Sequence, residues 1–221
     1  MSTDKPSRYL VTTDIVVFTV QHDELHLLLV ERGHEPFKGA LALPGGFVLP
    51  EEDLDAGARR GLEQETGVKG KYLEHLCTRG DPGRDPRGRV VTVAYFALIR
   101  ANQVRVEAGS DAAGAAWVAI SKLPKLAFDH DDIVAVARER LAAKLEYSTL
   151  AFQLLPDRFT IREVQAVYET ILGRELDRRN FYKKILASGD LVETTERRVE
   201  GRHRPATVYR LKKPAGVRIT R

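Results

Sequence analysis

The residues of this chain best suited to chemistry lie in three places. They are a carboxylate-bearing stretch at Gly45–Val68 (GGFVLPEEDLDAGARRGLEQETGV), an arginine-rich loop at 80–89 (GDPGRDPRGR) and a basic run at Leu176–Ile185 (LDRRNFYKKI). In the first, a helix advancing by about 100° per residue puts positions 61, 64 and 65 on one face. Carboxylates at such positions could hold Mg²⁺, a hard cation that takes near-octahedral oxygen ligation. Here the face carries one carboxylate (Glu65), one neutral amide (Gln64) and no side chain at Gly61. Glu63 points about 200° away from Glu65 and cannot complete the set. We therefore expect a binding pocket with no metal ligand and no catalytic residue.

The second and third places carry positive charge. Arg84, Arg87 and Arg89 could clamp phosphates through the fork geometry of guanidinium; the plain alternative is a salt-bridged surface loop. In the third, Arg179, Asn180, Lys183 and Lys184 occupy one side of a helix and Phe181, Tyr182, Ile185 and Leu186 the other. A recognition helix needs that division, with its apolar side on a core and its basic side in the major groove of DNA.

Charge is divided along the chain. Residues 149–221 carry 16 Lys+Arg against 9 Asp+Glu, a net of +7, whereas residues 1–148 carry 19 against 22, a net of −3. Such asymmetry points to a polyanionic partner for the C-terminal part. The single cysteine, Cys77, excludes an internal disulfide and a cysteine-based zinc site and fits a reducing cytoplasm. No apolar run reaches the roughly 18 residues of a membrane span, and MSTDKPSR lacks a signal-peptide core.

The elements that must position these groups follow from pattern. Residues 12–20 and 25–31 read as a β-hairpin joined by the four-residue loop QHDE, the second run apolar on both sides like a buried strand. A glycine-rich loop leads into the stretch at 45–68; Phe37 in it is a candidate for base stacking, the alternative being a small core plug. Asp53 or Asp55 caps the helix of that stretch and Gly67 closes it. Strands follow at 72–78, 90–98 and around Trp117. A helix then runs from a cap at Asp129 to about Tyr147, with Ile133, Val136, Leu141 and Leu145 as its core stripe. His130 reads as a capping-region side chain rather than a ligand residue. Pro156 interrupts the junction at 149–157. Thr160 with Glu163 forms a capping box for the next helix, Gly173 ends it, and Asp177 caps the basic one, closed by Gly189. Two β-like runs, 191–198 and 206–211, would form a wing.

The stretch at 45–68 resembles the signature of the Nudix hydrolases, G-x5-E-x7-R-E-U-x-E-E-x-G-U. Gly46, Glu52, Arg60, Leu62, Glu65, Gly67 and Val68 match it, and Gly61 and Gln64 depart from it. Glu52 and Arg60 take the places of the pair that braces loop on helix. Together with LALPGGFV (41–48), GDPGRDPRGRVV (80–91), LPKLAFDH (123–130), LDRRNFYKKI (176–185) and GRHRPATVYRL (201–211), the chain resembles the NrtR family of Nudix-related regulators of NAD metabolism. The resemblance implies an α+β protein: a Nudix-fold α/β/α sandwich with a mixed sheet over 1–148, then a winged helix-turn-helix over 149–221. It implies a homodimeric repressor of NAD synthesis or salvage genes on a palindromic DNA operator, released by ADP-ribose or a related dinucleotide, with no cofactor required. The ligand-binding candidates are Arg32, Phe37, Gly45, Gly46, Glu65, Arg84 and Asp85. The DNA-binding candidates are Thr160, Arg162, Arg178, Arg179, Asn180, Lys183, Lys184, Arg202, His203 and Arg204. Two other classes stay open: an Mg-dependent ADP-ribose pyrophosphatase with a basic appendage, and a module whose winged helix contacts protein.

Overall fold

The computed structural model describes residues 8–67, 72–104, 112–199 and 205–212. A β-rich, apolar first third produces the centre of a seven-stranded mixed sheet. Its strands are β1 (Leu10–Gln21), β2 (Glu24–Arg32), β3 (Leu41–Ala42), β4 (Gly45–Phe47), β5 (Leu73–Arg79), β6 (Val90–Leu98) and β7 (Ala112–Ala119). The main path runs β3-β2-β1-β6-β5, with β4 on β1 and β7 on β2. Only β1 and β6 run parallel; the other pairs are antiparallel. The β1–β2 turn is tighter than QHDE suggests: Gln21 faces Glu24, leaving two residues. His22 and Asp23 both have positive φ (48° and 59°), the backbone that a two-residue hairpin demands.

Strand alternation sorts the sheet into two faces. Ile15, Val17, Leu28, Ala97 and Ile99 turn toward Leu62 of α1 (Leu54–Thr66). Val16, Phe18, Leu27, Leu29, Phe96 and Leu98 turn the other way, toward Ile133, Ala137 and Leu141 of α2 (His130–Lys144). This is the expected α/β/α layering. No helix among the described residues is long and apolar enough to cross a membrane.

The second core layer does not stop at the end of α2. It continues through Leu150, Ala151, Phe152, Leu154 and Leu155 into Phe159, Val164, Tyr168, Phe181, Ile185 and Tyr209. The junction is thus a buried 3₁₀ turn at Leu150–Leu154 rather than an exposed linker. Beyond it stand α3 (Ile161–Leu172), α4 (Arg178–Ala187) and the antiparallel hairpin of β8 (Leu191–Arg198) and β9 (Ala206–Leu211). Reciprocal backbone bonds between Phe159 and Tyr209 (3.0 and 2.7 Å) fasten the entry of α3 to the wing. The Thr160–Glu163 capping box starts α3, and Gly173 in the left-handed region (φ 65°) ends it.

Candidate functional site

Helix α1 is set against the sheet by a close approach that only glycine allows. Gly45 pairs with Asp14 across β4 and β1, and a β-carbon on it would come within 2.1 Å of the Thr13 carbonyl oxygen. Asp53 caps the helix, its Oδ1 accepting from the Ala56 N–H (2.7 Å), and Gly67 closes it with φ 68°. Glu52 grips the Arg60 guanidinium through both oxygens (2.5 and 3.0 Å) and also accepts from the Leu49 N–H (3.0 Å). Arg60 in turn donates to the Phe47 carbonyl (2.9 Å). The expected brace between loop and helix is in place.

The two unusual positions lie in different surroundings. Gln64 is exposed and accepts from Arg60 Nη1 (3.0 Å), which extends the brace along the helix. Gly61 is buried: a β-carbon there would sit 3.5 Å from Ile15 Cδ1 and 3.9 Å from the Gly45 α-carbon. Glu65 is the one α1 carboxylate that reaches the adjoining cavity. Four more carboxylates, Asp14, Glu31, Glu35 and Asp85, line that cavity, and Asp14 and Asp85 are each committed to a cation. Among the described residues no three His, Cys, Asp or Glu side chains converge as metal ligands. The donor set does not fit an octahedral magnesium site.

The cavity has a volume of about 270 Å³. It gathers Arg32, Gly45, Gly46, Glu65, Arg84 and Asp85 from the ligand candidates together with Arg87, one of the candidate phosphate clamps, and adds Asp14, Phe47, Phe128 and His130, which sequence reasoning left out of the site. Phe37 is not on its wall. The residue is 43% exposed, and its ring instead meets Phe128 edge-on, with centroids 4.8 Å apart. Arg89 also lies elsewhere, over the Tyr9 ring (5.2 Å).

Three guanidiniums define the charge of the cavity. Arg84 is nearly buried, with 4% of its side chain exposed; it forks onto Asp129 (3.0 and 2.6 Å) and lies 3.7 Å from Asp14 Oδ2. Arg87 forks onto Asp85, whose carboxyl it holds below the usual range although burial alone would raise it. Arg32 has a different environment. It donates to the carbonyls of Pro36 (2.8 Å) and His34 (3.5 Å) and stacks on the face of Phe128 at 4.7 Å, with Arg87 5.7 Å from the same ring. Burial and the neighbouring charge of Arg87 both lower its pKa. Two like charges beside one aromatic ring make a favourable place for an anion.

His130 departs from its expected role. It is buried, and its Nδ1 accepts from the Leu43 N–H (2.9 Å), so the ring proton belongs on Nε2, which faces Asp14 Oδ2 at 3.5 Å. Burial alone would raise the Asp14 pKa, but His130, the Thr92 hydroxyl and Arg84 outweigh it and hold the carboxyl low. Asp129 is the N-terminal flanking residue of α2 but makes no side-chain cap, because its carboxylate belongs to Arg84. One signal for this cluster stands in the sequence: Asp14 interrupts an otherwise apolar and threonine strand. Phe128, a bulky residue in the left-handed region (φ 57°), gave none.

The other candidate surface is α4. Asp177 accepts from the Asn180 N–H (2.8 Å) and starts the helix. Phe181 and Ile185 are buried, while Arg178, Arg179, Asn180, Lys183 and Lys184 are exposed. Tyr182 and Leu186 do not share the buried face as expected. They are 45% and 38% exposed, and the Tyr182 hydroxyl lies 3.5 Å from that of Tyr209. Arg162 is exposed at the start of α3, but Thr160 is buried with its hydroxyl inside the capping box, which removes that side chain from the DNA-facing set. Arg198 of the wing pairs with Glu163 (2.7 Å). Arg202, His203 and Arg204 lie outside the described residues.

Comparison with known proteins joins the two surfaces. Residues 8–137 match the NUDIX domain and residues 151–211 the NrtR DNA-binding winged helix domain. An ADPR responsive transcriptional repressor, NtrR, of Acinetobacter baylyi is 41% identical over 213 residues, covering 94% of this chain and 83% of the relative. The crystal structure of Shewanella oneidensis NrtR complexed with a 27mer DNA superposes with a TM-score of 0.81 at 37% identity, covering 91% of this chain and 93% of that one. The NUDIX domain of the same protein, complexed with ADP ribose, is 36% identical with a TM-score of 0.56, covering 63% of this chain and 95% of that one. With a Nudix sandwich and an NrtR-type winged helix in one chain, and a relative this similar along most of its length, the chain belongs to the NrtR family of Nudix-related transcriptional regulators.

Proposed function

We propose that this chain is an ADP-ribose-responsive transcriptional repressor of genes of NAD synthesis or salvage, cytoplasmic and homodimeric, whose Nudix domain binds without hydrolysing. Residues 1–148 form the sensing domain and residues 149–221 the DNA-binding domain. The observation that carries the reading is the cavity wall: α1 brings it a single carboxylate, Glu65, while Arg32 and Arg87 converge on Phe128. Such a wall attracts a pyrophosphate and lacks the oxygen cage that would activate it. Arg32, Arg87, the free edge of Arg84 and the backbone at Gly45 and Gly46 hold the pyrophosphate, and Phe47 offers a ring face at the rim. On the DNA side, Arg179 or Asn180 reaches base edges, and Arg162, Arg178, Lys183, Lys184 and the wing tip at 202–204 meet phosphates. A dimer on a palindrome must hold its recognition helices about 34 Å apart, or a multiple of that. The effector therefore need only favour a spacing that misses the half-sites.

The test is a gel shift with the DNA upstream of NAD-synthesis genes, titrated with ADP-ribose and with NAD. ADP-ribose releases the duplex; a duplex held equally at all concentrations contradicts the proposal. Incubation with ADP-ribose and Mg²⁺ or Mn²⁺ tests the absence of hydrolysis: AMP and ribose 5-phosphate appearing at enzymatic rates would overturn that part.

A further inference from the structure

Three consecutive residues at the start of α2, Phe128, Asp129 and His130, each touch a different part of the cavity. Phe128 lies under Arg32 and Arg87. Asp129 receives the Arg84 fork, and His130 bridges the Leu43 N–H and Asp14. The far end of the helix is tied separately. Lys144, mostly buried, donates to Glu74 of β5 (2.6 Å), and Arg140 reaches Glu74 and the Leu76 carbonyl (3.4 and 3.3 Å). Just beyond that tie the chain enters the apolar layer shared with α3 and α4, through Leu145, Leu150 and Phe152. Helix α2 is thus a rod of roughly 22 Å at 1.5 Å per residue, with one end in the pocket wall, a pivot at Glu74 and its continuation in the winged helix.

Resting on the proposed function, we propose that the Arg84–Asp129 fork is the element that transmits effector binding to the DNA-binding half, with Asp129 as a positioning residue that touches no ligand itself. Arg84 donates Nε and Nη2 to Asp129, and among the described residues no acceptor meets its Nη1 edge. An anion arriving in the cavity takes that edge and pulls the guanidinium toward itself. Asp129 follows, because its fork allows little slack. The first turn of α2 moves with it, since the Asp132 and Ile133 N–H groups both donate to the Asp129 carbonyl (3.1 and 3.4 Å). Phe128 adds backbone strain to this turn. A phenylalanine at φ 57° is held there against its own preference, and displacement of the turn can relieve that strain. A ligand can shift an equilibrium only by contacts that differ between two states, and the fork supplies such a difference.

The experiment uses the full-length protein and the duplex identified by gel shift. ADP-ribose affinity is measured by calorimetry with and without duplex, for the wild type, Asp129→Asn and Asp129→Glu. Linkage requires duplex to weaken ADP-ribose binding in the wild type by the factor with which ADP-ribose weakens duplex binding, about 5- to 150-fold. Asp129→Asn still binds each partner alone, but the factor collapses to within about twofold of unity; Asp129→Glu, which keeps the charge, restores part of it. An undiminished factor in Asp129→Asn, or loss of ADP-ribose binding in that variant, overturns the inference while leaving the repressor reading intact. No coupling in the wild type removes both. Should Asp129→Asn fail to fold, hydrogen exchange in the wild type decides. ADP-ribose must change the exchange of the Asp132 and Ile133 amides, and unchanged exchange there overturns the inference.

Discussion

The two halves of the molecule use positive charge in opposite ways. In the N-terminal half Arg60, Arg84 and Arg87 are each held by a carboxylate fork, from Glu52, Asp129 and Asp85, and Arg32 and Arg87 lie on aromatic rings. On α4 the side chains of Arg178, Arg179, Lys183 and Lys184 stand in solvent, with no carboxylate partner among the described residues. The first arrangement fixes geometry before a ligand arrives and suits a small anion of one shape. The second leaves charge free to attract a polyanion over distance and to adapt to a groove. The same residue type is therefore structural in one half and, under the proposed function, a recognition group in the other.

Removing charge from each half should break that contrast in measurable ways. Arg84→Ala leaves Asp14 and Asp129 facing each other in a largely buried site, so urea denaturation should show a loss of about 3–5 kcal/mol. Arg179→Ala should leave stability within about 0.5 kcal/mol of wild type. Its effect belongs to DNA: about 1–3 kcal/mol of operator affinity, with relaxed selectivity at one position, read by competition between duplexes. Lys183→Ala should weaken all duplexes alike and reduce the slope of log affinity against log salt by about one. Acid sharpens the comparison from the other side. Asp14 and Asp85 titrate below the ordinary carboxylate range, so their contribution is complete above about pH 4 and is lost as pH falls through their lowered values. Asp14→Asn should therefore flatten the acid limb of stability against pH, whereas substitutions on α4 leave it unchanged.

Local rules made much of this architecture legible. The caps at Asp53, Thr160 and Asp177 and the left-handed closures at Gly67 and Gly173 depend on neighbours a few residues away, and the structure has each of them. The brace of Glu52 on Arg60 spans eight residues and was readable through the family pattern. The cavity was legible only in part, because its decisive contacts are long-range. Leu43 and His130 are 87 positions apart, and Arg84 and Asp129 are 45 apart. Asp129 looked like a cap because aspartate at a helix start usually is one; an arginine delivered from a distant loop outcompetes the local backbone. Tyr182 illustrates the reverse error. Angle alone assigned it to the core side, but the apolar contact on α4 is as narrow as Phe181 and Ile185, and beside that stripe Tyr182 remains exposed.

The central claim, a pyrophosphate pocket that reports to DNA instead of cutting its ligand, is tested most directly by one titration. Operator affinity of the full-length protein is followed by fluorescence anisotropy as ADP-ribose is added in the presence of Mg²⁺, and the nucleotide is recovered and analysed afterwards. The account predicts that operator affinity falls about 5- to 150-fold while ADP-ribose is returned intact. Rapid conversion to AMP and ribose 5-phosphate, with duplex binding indifferent to the nucleotide, would contradict it.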